Sequence, residues 1–349
     1  MEKNTAQSSV AAIGIDLGKR FMQVHGVDAA GTAVLVRKLS RAQMESFFER
    51  LPPTQIGLEA CASAHHWARL LLRQGHKVRL IPPAYVKAYV RRQKNDAADA
   101  AAVCEALTRP TMRFLAVKSE AQQGALMLHR VRSLLVGQRT AAINALRGHM
   151  AEFGIVAPQG AHQAAGLARI VADESDRRLC PEARAALRIL CDELASAEAR
   201  IAALDARIKA VHQADERSRR LATIPGIGPL SASALAASVA DPAMFASGRE
   251  FAAWLGLAPR QSSTGGKERL GRISKMGDRY LRSLLVVGAH AVLFHRKGHQ
   301  DALRQWAGRL AGRKPFKLAA VALANKLARI AWAVMARGEV YRGTATIAA

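Results

Sequence analysis

Four carboxylates in the first hundred residues have the types and spacing of a metal site. Asp16 ends one apolar run (AAIGIDL), Glu59 ends another (QIGLE), and Asp96 and Asp99 lie three residues apart, on one face of a helix. Four acids at one point repel each other and cannot all stay ionised without a counter-charge. A pair of divalent cations would supply that charge and clamp the attacking and leaving oxygens of a phosphodiester.

Each of these acids also has an ordinary structural explanation. Asp16 could be a turn residue before Leu17-Gly18-Lys19, and Asp96 and Asp99 could cap or begin a helix. The strand order around them and the basic charge of the chain favour the metal site. Oxygen ligands without a Cys or His cluster favour Mg²⁺ or Mn²⁺ over zinc.

A second candidate site lies in the last third of the chain. The segment from Gly256 to Arg282 holds hydroxyls beside glycines, among seven Lys and Arg and two Asp and Glu. This composition suits phosphate contact. A serine there could also be a nucleophile if cations or a metal stabilise its alkoxide, although a serine in a loop usually only forms hydrogen bonds.

Upstream, Ile224-Pro225-Gly226-Ile227-Gly228 is similar to a helix-hairpin-helix turn, in which glycines let the backbone approach a phosphate. The alternative is a plain glycine turn between packed helices. We expect nucleic-acid contacts at two glycines and six cationic side chains: Gly226, Gly228, Arg260, Lys267, Arg269, Arg272, Lys275 and Arg279.

The charge of the chain supports a polyanionic partner. Its 349 residues include 52 Lys and Arg against 27 Asp and Glu, a net charge of +25. The net charge is +9 over residues 1–118, +1 over 119–215 and +15 over 216–349, so the excess is concentrated at the two ends. A phosphate-binding surface concentrates charge in this way, because each neutralised phosphate releases counterions locally.

Composition excludes several other classes. Half of the residues are hydrophobic, which is enough for a sizeable core. No uncharged run reaches the ~18 residues of a membrane helix, the N-terminus lacks the apolar region of a secretory signal, and the four cysteines form no CxxC pair. We expect a soluble cytoplasmic protein whose partner is a polyanion and which does not associate with membranes.

Periodicity and turn residues predict three regions: 11–118, 119–215 and 216–349. The first has the order of a ribonuclease-H-like fold, a mixed sheet flanked by helices, with its first and fourth strands side by side. The predicted strands cover 11–17, 21–27, 32–37, 55–59 and 77–81, and the predicted helices cover 40–50, 64–74, a segment ending at Tyr89, and 96–108.

The middle region is predicted to be helical. Apolar residues recur at spacings of three and four from Leu187 to Val211, a heptad seam that also includes Leu190, Leu194, Ala197, Ile201, Leu204 and Ile208. Its partner could be the helix predicted at 121–153, across a Gly- and Pro-containing stretch at 154–166, or a second subunit. For the last region we expect a helix to Val239, another at 248–255, the basic segment and two closing helices.

Five motifs in order resemble the DEDD transposases of the one-ten family of insertion sequences. They are Gly14-Ile15-Asp16, Leu58-Glu59-Ala60, Lys94-Asn95-Asp96-Ala97-Ala98-Asp99-Ala100, Ile224-Pro225-Gly226-Ile227-Gly228 and the segment from Ser262 to Gly277. The segment Ser263-Thr264-Gly265-Gly266-Lys267 most resembles the corresponding segment of the eleven-eleven subgroup. The resemblance covers about residues 11–300.

The resemblance implies a RuvC-like domain at 11–118 with Asp16, Glu59, Asp96 and Asp99 as the metal-binding tetrad. It implies a helical coiled-coil region and a C-terminal transposase domain whose serine forms a phosphoserine link to DNA. The family serine precedes a glycine, a place that Thr264 holds here. Counting back from Gly277 selects Ser263, with Ser262 as the second candidate.

The resemblance further implies a composite active site built from different subunits of a dimer or tetramer. A non-coding bridge RNA would pair with donor and target DNA and supply the sequence specificity. Two rival functions remain open from the sequence: a RuvC-type junction nuclease that needs the tetrad but not Ser263, and a non-catalytic nucleic-acid-binding scaffold.

Overall fold

The computed structural model describes residues 10–90, 95–296 and 301–343. These residues divide into two compact units. The first holds the chain up to Glu120 together with Val239–Ala246, and the second holds Ala121–Ser238 and the chain from Ser247. The expected division into 11–118, 119–215 and 216–349 stays a prediction.

A five-stranded mixed sheet forms the centre of the first unit. Its strands are β1 (Ala12–Leu17), β2 (Phe21–Val27), β3 (Ala33–Ser40), β4 (Gln55–Glu59) and β5 (Lys77–Ile81). They lie in the order β3-β2-β1-β4-β5. β2 is antiparallel to β1 and β3, whereas β4 is parallel to β1 and β5. The expected neighbourhood of the first and fourth strands is confirmed.

Helices cover both faces of this sheet, since its central strands are apolar on both sides. The helices are α1 (Arg41–Glu49), α2 (Ala64–Arg73), α3 (Pro83–Val86) and α4 (Asp96–Leu107), with short 3₁₀ segments at Lys87–Tyr89 and Pro242–Met244. Phe48 and Leu71 pack against one face, and Val103 and Leu107 belong to the core on the other. The predicted helix ending at Tyr89 is two short pieces, α3 and the 3₁₀ turn.

Helices dominate the second unit. They are α5 (Glu120–Ala151), which begins at the unit boundary, α6 (Ala164–Ala172), α7 (Pro181–Ala214), α8 (Glu216–Leu221), α9 (Pro229–Ser238), α10 (Gly248–Trp254), α11 (Arg279–Phe294), α12 (Ala302–Ala311) and α13 (Phe316–Arg337), with a 3₁₀ turn at Ala161–Gln163. Two short strands, β6 (Pro259–Gln261) and β7 (Leu270–Ile273), pair antiparallel between α10 and α11.

The heptad seam finds its partner within the chain. Ile143 of α5 and Leu194 of α7 share a buried cluster. The Arg132 guanidinium of α5 donates to the Asp205 carboxylate of α7, with Nη2 3.2 Å from Oδ2. The residue numbers of these contacting pairs rise along α5 as they fall along α7, so the two helices are antiparallel. Of the two alternatives for the seam, the structure contains the antiparallel hairpin within one chain.

The predicted number of helices was wrong in two places. α6 occupies part of the stretch that was expected only to separate α5 from α7. Its residues Leu167 and Val171 pack in a buried cluster with residues of α5 and α7. Three helices close the described chain where two were predicted. Asp301 begins α12 by accepting a hydrogen bond from the Arg304 amide at 3.0 Å, and Pro315 precedes α13.

α13 is long and apolar enough to cross a membrane by length and composition alone. However, 56% of its most apolar window is buried inside the unit. Leu323 and Leu327 are fully buried there, and Lys326 lies over the Trp306 ring with Nζ 4.6 Å from its centroid. The helix packs as a core element of the second unit.

Candidate metal centre and candidate nucleic-acid interface

The parallel pairing of β1 and β4 brings two of the predicted acids to one edge of the sheet. Ile15 pairs with Leu58 across the two strands. Asp16 and Glu59 are the next residue of each strand, so they lie side by side. Asp16 is part of β1, where it pairs with Gln23, and is not a turn residue.

α4 brings the other two acids to the same edge. It packs on β1 at Gly14, where a methyl group would come 2.8 Å from Cα of Cys104 and closer still to the carbonyl oxygen of Ala100. Only glycine permits this approach. One carboxylate oxygen each from Asp16, Asp96 and Asp99 lies within 4.8 Å of the others.

The cap of α4 is a different residue. Asn95 accepts a hydrogen bond from the Ala97 amide at 3.0 Å, which leaves Asp96 and Asp99 in the first turn with no capping role. The partial positive charge at a helix N-terminus stabilises acids in that turn. The sequence therefore holds both acids toward the sheet edge without using them as caps.

Burial and mutual repulsion determine the electrostatics of this cluster. Burial, then repulsion from Asp99, Asp96 and Glu59, raises the pKa of Asp16, while the Leu17 amide opposes the shift. Burial and repulsion from Asp99 likewise raise the pKa of Glu59. The Asp99 carboxylate thus acts on both strand-end acids, and Glu59 lies within the electrostatic reach of Asp16 and Asp99.

The donor set fits a divalent cation. Asp16 and Asp99 are half-buried and Asp96 is exposed, so a cation could reach them from solvent. All the donors are carboxylate oxygens, which suit hard cations such as Mg²⁺ or Mn²⁺. Such an ion would relieve the repulsion that raises the pKa values of Asp16 and Glu59.

The sequence reasoning overlooked one residue at this centre. Cys61 is exposed as a residue. Partial burial of its thiol raises the pKa of that thiol most, and the charges of Glu59 and Asp16 raise it further. The thiol therefore lies beside the acidic cluster. Its position two residues after Glu59 was the signal available in the sequence.

The segment that carries the candidate nucleophile is a β-hairpin and not a loop. Ser262 donates its backbone amide to the Arg269 carbonyl at 2.9 Å, and Thr264 forms an isolated bridge with Lys267. Gly265 and Gly266, with φ of +57° and +77°, close the hairpin. A two-residue turn with two positive φ angles has the same twist as the strands of a hairpin, and it therefore connects them well. The Gly-Gly pair was the signal in the sequence for this hairpin, and the sequence analysis did not use it.

The two candidate serines have different surroundings. The Ser263 Oγ accepts hydrogen bonds from Gln261 Nε2 at 3.1 Å and, more weakly, from the Arg269 amide at 3.4 Å. Ser262 instead lines a cavity of about 480 Å³ together with Arg260, Arg269 and other residues of the hairpin. N–H donors aimed at Ser263 would stabilise its alkoxide, whereas Ser262 faces the cations.

The predicted phosphate-binding cations lie on and below this hairpin. Each is exposed: Arg260, Lys267, Arg269, Arg272, Lys275 and Arg279. Arg279 is the first residue of α11. Arg282 fixes the base of the hairpin by donating to the carbonyl of Leu255 at 2.9 Å and of Met276 at 3.1 Å.

The two glycines of the upstream turn are placed differently. Gly226 has a φ of +86°, and a methyl group there would lie 2.7 Å from the Gly288 carbonyl of α11. This contact matches the alternative of a packed glycine turn. Gly228 is exposed just before α9, and a methyl group there would meet no atom within 4 Å. Of the two, Gly228 has the open backbone that a phosphate contact needs.

His129 of α5 is a buried polar residue that the sequence reasoning did not single out. It is 1% exposed, and its ring nitrogens lie 3.1 Å from the Tyr280 hydroxyl and 3.2 Å from the Ser233 hydroxyl. Burial, then the charge of Arg132, lowers its pKa to about 4. Because its partners are more than a hundred residues away in sequence, no local pattern marked it.

Comparison with known proteins matches this chain to transposases. The transposase model of the IS116/IS110/IS902 family matches residues 218–305, and the DEDD transposase model of IS110 matches residues 13–155. A probable family 20 transposase of Pseudomonas aeruginosa is 50% identical over 96% of this chain and 99% of its own length.

Two named insertion-sequence proteins are also similar along nearly the whole chain. The transposase for IS1328 of Yersinia enterocolitica is 39% identical over 95% of this chain and 99% of its own. The transposase for IS1111A of Coxiella burnetii is 37% identical over 98% of this chain and 94% of its own. The chain therefore belongs to the IS110/IS116/IS902 family of DEDD transposases.

Proposed function

We propose that this transposase is a metal-dependent recombinase that cuts and rejoins DNA strands through a phosphoserine link. The observation that carries the proposal is the convergence of Asp16, Asp96 and Asp99 beside Glu59 at the end of a parallel strand pair. This strand order is typical of ribonuclease-H-like folds such as RuvC, to which we assign the first unit. Mg²⁺ or Mn²⁺ bound there would neutralise negative charge at the phosphodiester.

The proposed nucleophile is Ser263, with Ser262 as the second candidate. In the cleavage step, Oγ of the serine forms a bond to phosphorus while the bond from phosphorus to one deoxyribose oxygen breaks. The proton lost by the serine balances the one gained by the departing sugar oxygen. The hydrogen bonds that Ser263 Oγ accepts support its role, because they favour the charged form.

We further propose that a non-coding bridge RNA pairs with donor and target DNA and selects the sites. The exposed cations of the hairpin support this division of labour, because contacts to phosphates position a nucleic acid without selecting its sequence. The tetrad and the serine hairpin belong to different units of the chain, and we infer that a dimer or tetramer completes each active site. The reaction would take place in the bacterial cytoplasm, on nucleoid DNA.

A covalent-adduct assay tests the proposal. Protein, flanking non-coding RNA, Mg²⁺ and end-labelled donor and target DNA are mixed, denatured and separated on a gel. We expect a protein–DNA band that Asp16→Ala and Ser263→Ala each abolish and that omission of the RNA prevents. Ser262→Ala is the matched control and should retain the band.

The other outcomes identify the rivals. Loss of the band in Ser262→Ala, with retention in Ser263→Ala, would reassign the nucleophile. Cleaved DNA without a covalent band, still dependent on Asp16, would indicate a RuvC-type junction nuclease. Metal-independent binding without cleavage would indicate a scaffold.

A further inference from the structure

Aromatic rings lie at the surface where α11 ends and α13 begins. Phe294, the last residue of α11, is 68% exposed, and Phe316, the first residue of α13, is 36% exposed. Their ring centroids are 5.0 Å apart at an interplanar angle of 51°. The His290 ring lies 5.3 Å from that of Phe316. We call His290, Phe294 and Phe316 the aromatic ledge.

Cationic residues are next to the ledge in the chain. Arg313, Lys314 and Lys317 flank Phe316 and are exposed, and Arg296 follows Phe294 by two residues. From residue 279 to 338 the sequence has one acidic residue, Asp301. Its carboxylate is paired with Arg304, at 2.6 Å. The ledge therefore presents the exposed rings of Phe294 and Phe316 together with exposed cations that lie next to Phe316 in the chain.

These properties restrict the occupant. A second copy of the same surface would bring cations against cations, which opposes a symmetric contact between two ledges. The occupant must carry negative charge and offer flat faces to the rings. Unpaired bases on a phosphate backbone provide both, because every base has a π-face and each nucleotide a phosphate.

We propose that the aromatic ledge stacks unpaired bases of single-stranded DNA while Arg313, Lys314 and Lys317 contact its phosphates. DNA is chosen over RNA because transposases act on DNA, and cutting and exchange leave strand ends unpaired. In that one respect the inference rests on the proposed function. The ledge would hold a strand and takes no part in breaking bonds.

Photocrosslinking locates the strand directly. A single-stranded DNA oligonucleotide with one 5-iodouracil is bound to the full chain in EDTA, irradiated, digested and analysed by mass spectrometry. We expect adducts on peptides that contain Phe294 or Phe316. Because no metal is present, the result does not depend on the tetrad or on Ser263, so its failure is distinct from failure of the proposed function.

Binding of variants tests the stacking. Phe294→Leu keeps the residue apolar but removes the π-face, and we expect about 10-fold weaker binding of single-stranded DNA. Duplex DNA, whose bases are already stacked, should bind as before, and Phe294→Trp should restore single-strand binding. Val287→Ala is the matched control, since Val287 is 63% exposed on the same helix but has no ring.

Several results would overturn the inference. Crosslinks only to other peptides would show that the single strand does not contact the aromatic ledge. Equal losses for Phe294→Leu and Val287→Ala, with binding to anionic vesicles, would indicate a lipid surface. An RNA oligonucleotide that binds more tightly than DNA, with the same dependence on Phe294, would make RNA the occupant.

Discussion

Gly14 of β1 lies directly against Ala100 of α4, with no space between the two backbones for a side chain. This contact sets the distance between the helix that carries Asp96 and Asp99 and the strand that carries Asp16. A residue without any functional group thereby determines how close the Asp96 and Asp99 carboxylates lie to that of Asp16.

Replacement of this glycine should damage the metal centre. In Gly14→Ala the new methyl group forces α4 away from β1, and we expect a loss of about 1–3 kcal/mol in the free energy of unfolding. Metal-induced stabilisation, measured by thermal denaturation with and without Mg²⁺, should disappear. Gly137→Ala is the control: its methyl group meets no atom within 4 Å on α5, so stability should rise by about 0.5–1 kcal/mol. Unchanged metal dependence in Gly14→Ala would contradict this view.

Asp16→Asn should separate stability from function. Burial and the neighbouring acids raise the pKa of Asp16, which disfavours its charged form in the fold. Removing that charge should therefore increase the free energy of unfolding measured without added metal at neutral pH. The shift in melting temperature on adding Mg²⁺ and the strand exchange should both be lost, while nucleic-acid binding persists. A variant less stable than the parent without metal would show that repulsion does not dominate the cluster.

His129 should make the stability of the protein depend on pH. Its pKa of about 4 in the fold lies below the value of 6.5 for an unperturbed histidine, so the unfolded chain binds the proton more readily. Stability is then greatest above pH 6.5 and falls as the pH decreases toward 4, by about 3 kcal/mol from this residue.

Urea unfolding at several pH values measures that effect. His25 and His212 also have lowered pKa values, so the informative quantity is the difference between the parent and His129→Gln. The difference should shrink as the pH falls from 6.5 to 4. A constant difference would show that His129 does not titrate in this range.

Nucleic-acid binding should weaken steeply with salt, with the hairpin contributing to the slope. Lys267→Gln removes one cation beside the Gly-Gly turn, and the slope of log K against log salt concentration should decrease by about 1 in magnitude. Lys209→Gln, at an exposed position of α7 outside the hairpin, serves as control and should leave the slope unchanged. Equal slopes for Lys267→Gln and the parent would place the phosphates elsewhere.

Much of the first unit could be predicted because its signals are local. Apolar runs that end in Asp16 and Glu59 marked the strands, and the parallel pairing of β1 and β4 then followed from the order of elements. The contact of α4 with Gly14 could not be predicted, since it depends on the distance between backbones. The place of the His129 side chain between Tyr280 and Ser233 was equally hidden, because hydrogen bonds between distant residues leave no periodicity.

The serine hairpin shows the opposite case, in which the residue types were recognised but the shape was not. A run of Gly, Ser and Lys is typical of a loop, although Gly265 and Gly266 form a two-residue turn here. Its strands are only three and four residues long, too short to give an apolar alternation. The chemistry could be predicted here from composition, whereas the pairing required the geometry.

The hairpin between Pro259 and Ile273 has almost no buried side chain of its own. An isolated two-stranded hairpin has marginal stability in water, so its amide protons should exchange with solvent far faster than those of α13. A bound nucleic acid would cover one side of these strands and supply the packing that the protein omits. Substrate and enzyme would then complete a single fold together, and protection from hydrogen exchange would report the assembly of the reaction centre.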